Sequence, residues 1–580
     1  MRRAALSIAV SAVATTAMAS PVAARPGPRA REDYVVLYKK DASLKSAHEA
    51  VRAAGGSIVS ENLDVGLATV RGDKARFPAA IMRQQPIEGV ARDRVVGTAS
   101  KPDPKPASKP APEPAPEPQL RADVGAAVRV GPHPAGRAGD EPLSDLMWDM
   151  KQIHATPKGS YAVTRGDHRV KVGVIDTGMD AGHPDIAPNF DRALSRNFTR
   201  DLPADANGTE IDGPCAAEPD RSCDDPADVD ENEHGTHTAS AIGAPLNGIG
   251  MSGVAPGVSL VNLRAGQDSG LFLLRPVVDA LTYAARNGID VVNMSFYIDP
   301  WLWNCPDNAA DSAADRLEQR TVVAAAQRAL DFAHAHGVTM IASAGNERAD
   351  YTGTNTDETS PDLATEPGEK PRRRTVPASC TSMPSEGDHV IPVSATGISK
   401  RKASYSSYGN GYVALAAPGG DKADNATGHP DERLGTWAAY PESLARARHE
   451  LNADGTPKTP NIVRSCAGGV CGYYQSLQGT SMAAPHVAGV AALIVSRYGT
   501  PDPVHGGLTL DPAFVERRLI GSATPTPCPD HRTVRYAWSV QVKGTWTETL
   551  STQICKGTKA RNGFYGAGIV DARRAVGGHP

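Results

Sequence analysis

Apolar residues fall into distinct rhythms along the chain, and each change of rhythm marks a part. Residues 34–39, "YVVLYK", form an unbroken apolar and aromatic run of strand length. Helical spacing follows at 43–53, and "GSIVSENLDVGLATVRG" supplies two short strands around Asn62. A second helical stretch covers 73–82, and "IEGVARDRVV" at 87–96 reads as a last strand. The order strand, helix, strand, strand, helix, strand is that of a small split βαβ sandwich of the α+β class. Residues 31–97 are therefore expected to form a separate domain.

The pattern stops at "KPDPKPASKPAPEPAPEP", 101–118. Repeated proline removes backbone donors and favours extended chain, so 98–142 is expected to be a semi-rigid linker. Beyond it, continuously apolar runs alternate with longer helical periods. "HRVKVGVIDTGMD" starts as a strand and turns at Asp176-Thr177-Gly178, "LRPVVDALTYAARNG" is helical, and "IDVVNMSF" returns to strand. "TVVAAAQRALDFAHAHG" and "VTMIASAGN" repeat the helix and strand. Strands apolar on both faces, separated by helices, predict an α/β domain over 143–576, with a mostly parallel central sheet covered on both faces by helices. Three stretches, 298–320, 347–386 and 421–476, interrupt the alternation and are expected as long surface insertions around a cleft.

Residues 1–24 combine Arg2 and Arg3, a small apolar stretch and a cleavage motif at Ala17-Met18-Ala19. This is the pattern of an export signal, and it predicts a secreted, extracellular protein without stable membrane insertion. The 580 residues allow a large core, and 61 Lys plus Arg against 65 Asp plus Glu leave no basic excess for nucleic acid. All eight cysteines follow the signal. Cys215 with Cys223 and Cys466 with Cys471 are suited to local disulfides, and neither pair has the Cys-x-x-Cys spacing of a structural zinc site.

Candidate chemistry centres on "LQGTSMAAPHVAGVAALI", where Ser481 precedes a small, apolar helical stretch. A serine there is either a helix cap or a nucleophile, and Pro485 is expected in the first turn, where proline is tolerated. A nucleophile needs a base. His234 in "ENEHGTHTAS" can take the serine proton, and Asp176 at a strand end can orient the imidazole. His234 and His237 as metal ligands are the rival reading, although "HGTH" lacks the i,i+4 histidine pair of a helical zinc protease motif. Asn346, ending "IASAGN", can donate to an oxyanion together with the Ser481 N–H, or can cap local structure.

The ordered blocks "VIDTGMD", "HGTH", "NMS", "SAGN" and "GTSMAAPHVAG" resemble the diagnostic blocks of the subtilase, or subtilisin-like, serine peptidase family. The order Asp, His, Ser agrees with a subtilisin-type arrangement and differs from that of α/β-hydrolases. The resemblance implies a three-layer subtilisin-like domain, with Asp176, His234 and Ser481 as triad and Asn346 as oxyanion donor. Residues 31–96 resemble the family's inhibitory prodomain. "DSGLF" (268–272) and "NMSFY" (293–297) resemble the segments that flank an extended peptide, which points to Ser269, Gly270, Leu271, Ser295, Phe296 and Tyr297 as substrate-binding. The family more often has small residues after that second serine, so Phe296 and Tyr297 are either pocket walls or internally packed. Asp185 and Asn247 resemble a calcium site, while a solvated turn and an Asn-Gly loop explain the same residues without an ion. The expected function is a secreted serine endopeptidase that requires no cofactor for its chemistry. Its expected partners are a peptide or protein substrate and its own prodomain, and it is expected to be monomeric. An exopeptidase and a catalytically silent peptide-binding protein are the alternatives.

Overall fold

The computed structural model describes residues 30–93, 141–218, 221–542 and 545–578. The expected export signal, nearly all of the expected linker and the last residues of the small domain lie outside the described residues.

Strands Arg31–Tyr38, Ser57–Asn62, Leu67–Asp73 and Ile87–Arg92 form an antiparallel sheet in the order second, third, first, fourth. Helices Leu44–Ala53 and Phe77–Ile81 cross over between them, as the spacing predicts. The first strand is apolar from Tyr34 to Tyr38 because both of its faces are covered there. Tyr34, Val36 and Tyr38 pack with Val51, Phe77 and Ile81, whereas Val35 and Leu37, which point the other way, join a core built by helices Leu274–Arg286 and Ala313–Ala335 of the large domain. The approach is close: a side-chain carbon at Gly89 would lie 2.4 Å from Thr321 Oγ1. Arg328 reaches across with Nη1 donating to the Tyr38 carbonyl at 2.7 Å and the Val65 carbonyl at 3.1 Å, and pairs with Glu88. Arg92 pairs in turn with Asp315 and Glu318.

The large domain holds a seven-stranded parallel sheet in the order Leu415–Pro418, Val390–Thr396, Thr339–Ser343, Val291–Met294, Lys171–Ile175, Ser259–Arg264, Arg196–Asn197. Alternation within one strand assigns the two faces. Val172 and Val174 pack under helices His234–Gly243 and Thr480–Tyr498, while Ile175 packs under Leu274–Arg286 and Ala313–Ala335. This is the three-layer α/β arrangement the sequence predicts.

The expected surface insertions are only partly on the surface. Helix Ala313–Ala335 begins inside the first, fixed by a reciprocal capping box between Ser312 and Asp315. Before it, Leu302, Trp303 and Cys305 are buried against Tyr351, Val376 and Cys380 of the second stretch, and Trp301 is buried with Arg372 and Arg374 over its ring. Arg374 lies wholly buried there, with its charge met by Asp311 at 3.0 Å and Asp357 at 2.9 Å, and its guanidinium lies 4.9 Å from the Trp301 ring centre. Pairing of this kind is what permits a buried charge. The third stretch folds into an antiparallel sheet of Thr436–Tyr440, Val470–Leu477 and Ile462–Ala467. Disulfides join Cys215 to Cys223 and Cys466 to Cys471, the two local pairs expected, and also Cys305 to Cys380 and Cys528 to Cys555.

Docking of the small sheet makes Arg328 testable. In full-length protein with Ser481→Ala, Arg328→Ala is expected to weaken the contact by about 1.5–3 kcal/mol, the range for hydrogen bonds to a charged group. Hydrogen exchange should then be faster along 31–38 and 67–73 and unchanged in the central parallel strands.

Candidate active site

Chemistry-bearing residues gather at the carboxyl ends of the parallel strands, where an open α/β sheet leaves a crevice. Asp176 directly follows Lys171–Ile175, Ser295 follows Val291–Met294, and Asn346 lies three residues past Thr339–Ser343. His234 opens one helix of the same face and Ser481 lies in the first turn of the other.

Asp176 is fully buried, and its Oδ1 meets His234 Nδ1 at 2.7 Å. Oδ1 also accepts the Thr177 N–H at 2.8 Å, and Oδ2 accepts the Thr238 hydroxyl at 3.2 Å. Burial lowers the His234 pKa, but the charge and hydrogen bond of Asp176, with Asp230 and Glu233 behind, outweigh it and leave the imidazole above its usual value. Asp230 itself is buried: its carboxylate accepts from Thr177 Oγ1 at 3.1 Å, from Thr236 Oγ1 at 2.6 Å and from the Thr236 N–H at 2.9 Å. The acidic stretch around Asp230 thus supplies the clamp for the start of the His234 helix. Gly235 is required by proximity, since a Cβ there would lie 2.0 Å from the Gly178 carbonyl oxygen.

Ser481 is not a helix cap. Gly479 holds the N-cap position, the helix runs Thr480–Tyr498, and the Ser481 hydroxyl donates to the Ser295 carbonyl at 3.1 Å rather than to His234. Pro485 lies inside the helix rather than in its first turn, and its missing N–H leaves the Ser481 carbonyl, four residues earlier, without an intrahelical donor. The Ser295 hydroxyl fills that vacancy at 2.9 Å. Asn346 is held by its oxygen, which accepts both the Thr480 N–H and the Thr480 hydroxyl at 2.9 Å. That leaves its amide N–H groups as donors beside Ser481.

One cleft of about 390 Å³ is lined by His234, Ser481 and Asn346 together with Ser269, Gly270, Leu271, Ser295, Phe296 and Tyr297. The two readings of the aromatics are both met. Phe296 stacks on Phe272 with ring centres 4.1 Å apart, and the Tyr297 hydroxyl donates to Asp362 at 2.7 Å, yet each still forms wall. Glu347, Ser382 and Ser385 also line the cleft, from positions without a separate sequence signal.

His237 does not approach a ligand geometry: it is buried, its Nε2 lies 3.2 Å from the Gln475 carbonyl and 3.3 Å from that of Thr436, and burial pushes its pKa down to about 3. Asp185 and Asn247 do come together, but through the Asn247 amide nitrogen, which donates to Asp185 Oδ1 at 2.9 Å, while the Asn247 oxygen accepts from the Ile249 N–H. Asp185 Oδ2 accepts from Tyr474 and from the Met251 N–H. Glu141, which the sequence reading did not single out, lies nearby. Burial raises it to about 7, with the Asp185 charge adding, and burial raises Asp185 to about 6. Two buried carboxyls with an amide and loop carbonyls are donors of the type calcium takes, so the residues fit the ion in kind.

A parallel α/β sheet carries a carboxylate–imidazole pair in one cleft with a half-buried serine, the grouping that a hydrolase of the nucleophilic serine class needs. A profile of the subtilase family matches residues 167–568, so the chain belongs to that family and is a subtilisin-like serine peptidase. It is similar to subtilisin DY of Bacillus licheniformis, 28% identical over 359 residues that cover 61% of this chain and 84% of the relative. It is 26% identical over 339 residues to a thermophilic serine proteinase of Bacillus sp. (strain AK1), covering 58% of this chain and 55% of that one. In fold it is similar to the epidermin leader peptide processing serine protease (EpiP) of Staphylococcus aureus, with TM-score 0.55 and 19% identity over 94% of this chain and 98% of that chain. The keratinolytic enzyme fervidolysin of Fervidobacterium pennivorans gives TM-score 0.53 and 20% identity over 96% of this chain and 62% of that one.

Because only the neutral imidazole can accept a proton, kcat/KM is expected to rise with pH through the raised His234 pKa, with its midpoint above about 6.5. In Asp176→Asn the midpoint should move down and the rate fall by roughly 10⁴, both read from a pH–rate profile.

Proposed function

We propose that this peptidase is a secreted serine endopeptidase, made as a precursor and acting through an acyl-enzyme. The supporting observation is the 2.7 Å Asp176–His234 contact in a site whose cleft also holds Ser481 and Asn346. Ser481 turns from the Ser295 carbonyl to His234 Nε2, loses its proton there and attacks the peptide carbonyl carbon. The oxyanion is held by the Asn346 amide and the Ser481 N–H. The imidazolium, stabilised by Asp176, returns the proton to the leaving amine, and water attacks the ester by the same route in reverse. Segments 269–271 and 295–297 bind the substrate backbone as a neighbouring strand would.

Residues 31–97 act as inhibitor and folding partner. In support, Asp93 pairs with Arg275, and the chain there borders Leu273 and Asp299, next to the segments that line the cleft. Calcium, bound by Asp185, Glu141 and Asn247, neutralises the two buried carboxyls without taking part in catalysis. Export follows from the signal at 1–24, and among the described residues no helix is long and apolar enough to cross a membrane.

Ser481→Ala is expected to abolish hydrolysis of internal bonds in end-blocked peptides and to leave the 31–97 domain attached, as seen by intact mass. Asn346→Ala should lower kcat by roughly 10²–10³ with little change in KM, on the scale known for loss of one oxyanion donor in subtilisin. Unchanged hydrolysis in either purified, folded variant removes its assigned role. Calcium at about a hundred times its dissociation constant should add about 2.7 kcal/mol to stability. Asp185→Asn should lose that gain, measured by thermal unfolding with calcium and with chelator.

A further inference from the structure

The residue after Asn346 puts a charge into the cleft. Glu347 is half-buried and lines it. Its carboxylate accepts the Ser407 hydroxyl at 2.9 Å, and its own N–H donates to that hydroxyl oxygen at 3.2 Å, so the side chain is held at both ends. The carboxylate lies over Gly345, where a Cβ would come within 2.4 Å of Glu347 Oε2 and 3.0 Å of the Tyr351 hydroxyl oxygen. Gly345, with φ 90°, lines the cleft as well and directly precedes Asn346. The charge therefore stands close to the proposed oxyanion donor.

Around it the lining is polar without being basic. Tyr351, Ser382 and Ser385 bring hydroxyls, and Glu386 stands behind them with its carboxylate accepting the Ser382 N–H at 2.7 Å. Asp299 lines the cleft as a second carboxylate and accepts from the Phe272 N–H. Among the described residues no Lys or Arg lines the cleft. Arg348, next in the chain, is not part of the lining: its guanidinium lies 4.5 Å from the Trp538 ring centre, and Asp421 and Glu347 both act on its charge. Hydroxyls solvate a carboxylate but bring no counter-charge. A neutral substrate side chain that displaced water here would leave Glu347 poorly solvated, whereas Lys or Arg brings the opposite charge. The apolar stem of such a side chain suits Phe296 and Leu302, which form wall in the same cleft.

We propose that Glu347 is a specificity-determining residue, and that the site takes peptides with Lys or Arg directly before the scissile bond. This rests on the peptidase reading of Ser481, His234 and Asn346. Under that reading Asn346 holds the carbonyl oxygen of the residue before the bond, while His234 serves the leaving amine from the opposite wall. The substrate side chain nearest Glu347 is then that of the residue before the bond. Arg offers the carboxylate two parallel N–H groups, and Lys a single compact charge.

Four end-blocked peptides of equal length test this with the purified wild type. Three differ only in the residue before the scissile bond, which is Arg, its uncharged isostere citrulline, or Leu. The fourth has Leu before the bond and Arg after it. The first is expected to exceed the citrulline peptide in kcat/KM by about tenfold, the low end for a hydrogen bond to a charged group, and to exceed the other two as well. In Glu347→Gln, which keeps an acceptor for Ser407, the ratio of Arg to citrulline should fall to near one. It should fall partway in Glu347→Asp and drop below one in Glu347→Lys. Equal rates for Arg and citrulline in the wild type, faster cleavage of either Leu-containing peptide, or a preference that survives Glu347→Gln overturns the proposal. Hydrolysis of the Leu peptides without a preference for Arg before the bond sinks this inference alone, whereas no hydrolysis of any of the four sinks the assignment of Ser481.

Discussion

Pro485 places a constraint on the whole site. A proline in the second turn of a helix cannot supply the N–H that the carbonyl four residues earlier needs, and a buried acceptor left without a donor costs about 1–3 kcal/mol. Here that carbonyl belongs to Ser481, and it is satisfied from outside the helix by the Ser295 hydroxyl, while the Ser481 hydroxyl donates back to the Ser295 carbonyl. The start of one helix is thereby locked to the end of one strand. Thr480, next in the chain, locks a second strand end through Asn346. The candidate nucleophile and the candidate oxyanion donor are thus positioned by hydrogen bonds to neighbouring elements rather than by contact with each other.

The opposite wall is organised by buried carboxylates. Asp176 and Asp230 each accept several hydrogen bonds from threonine hydroxyls and backbone N–H groups, which is how a protein keeps an anion in a low-dielectric place. Asp201, Asp225 and Asp268 meet a different counterpart, the fully buried Arg264, which stands among them where three neighbouring carboxylates could hold a metal ion. That cluster fixes the turn leading into residues 269–271. Arg264 and Arg374 therefore play the same part: each is a buried cation that ties together carboxylates from separate segments, Arg264 those of Asp201, Asp225 and Asp268, and Arg374 those of Asp311 and Asp357.

The small sheet adds a further layer to the helices Leu274–Arg286 and Ala313–Ala335, so those helices are covered on both sides. Its first strand belongs to two cores at once, which is why 34–38 shows no polar face. The polar groups at this contact, Arg328, Arg92, Asn62 and Arg275, are each paired across it. Such a surface is matched to its partner in detail and differs from a casual apolar contact.

The sequence by itself determined the order of elements in the small sheet, the alternation of parallel strands and helices in the large domain, both local disulfides and the four residues of the proposed chemistry, because each depends on short-range periodicity or on a few neighbouring residues. Position 485 shows where that reasoning stops: the proline was legible, but whether it lay in the first turn depended on where the helix began, and Gly479 and Thr480 decided it. The burial of 298–305, the Cys305–Cys380 and Cys528–Cys555 pairings, the hydrogen bond from Thr177 to Asp230 and the stacking of Arg348 on Trp538 join residues dozens to nearly two hundred positions apart. No local pattern encodes such contacts. They arise only when the sheet fixes which strand ends and insertions share a wall, and tertiary packing alone settles which polar groups are left for a substrate.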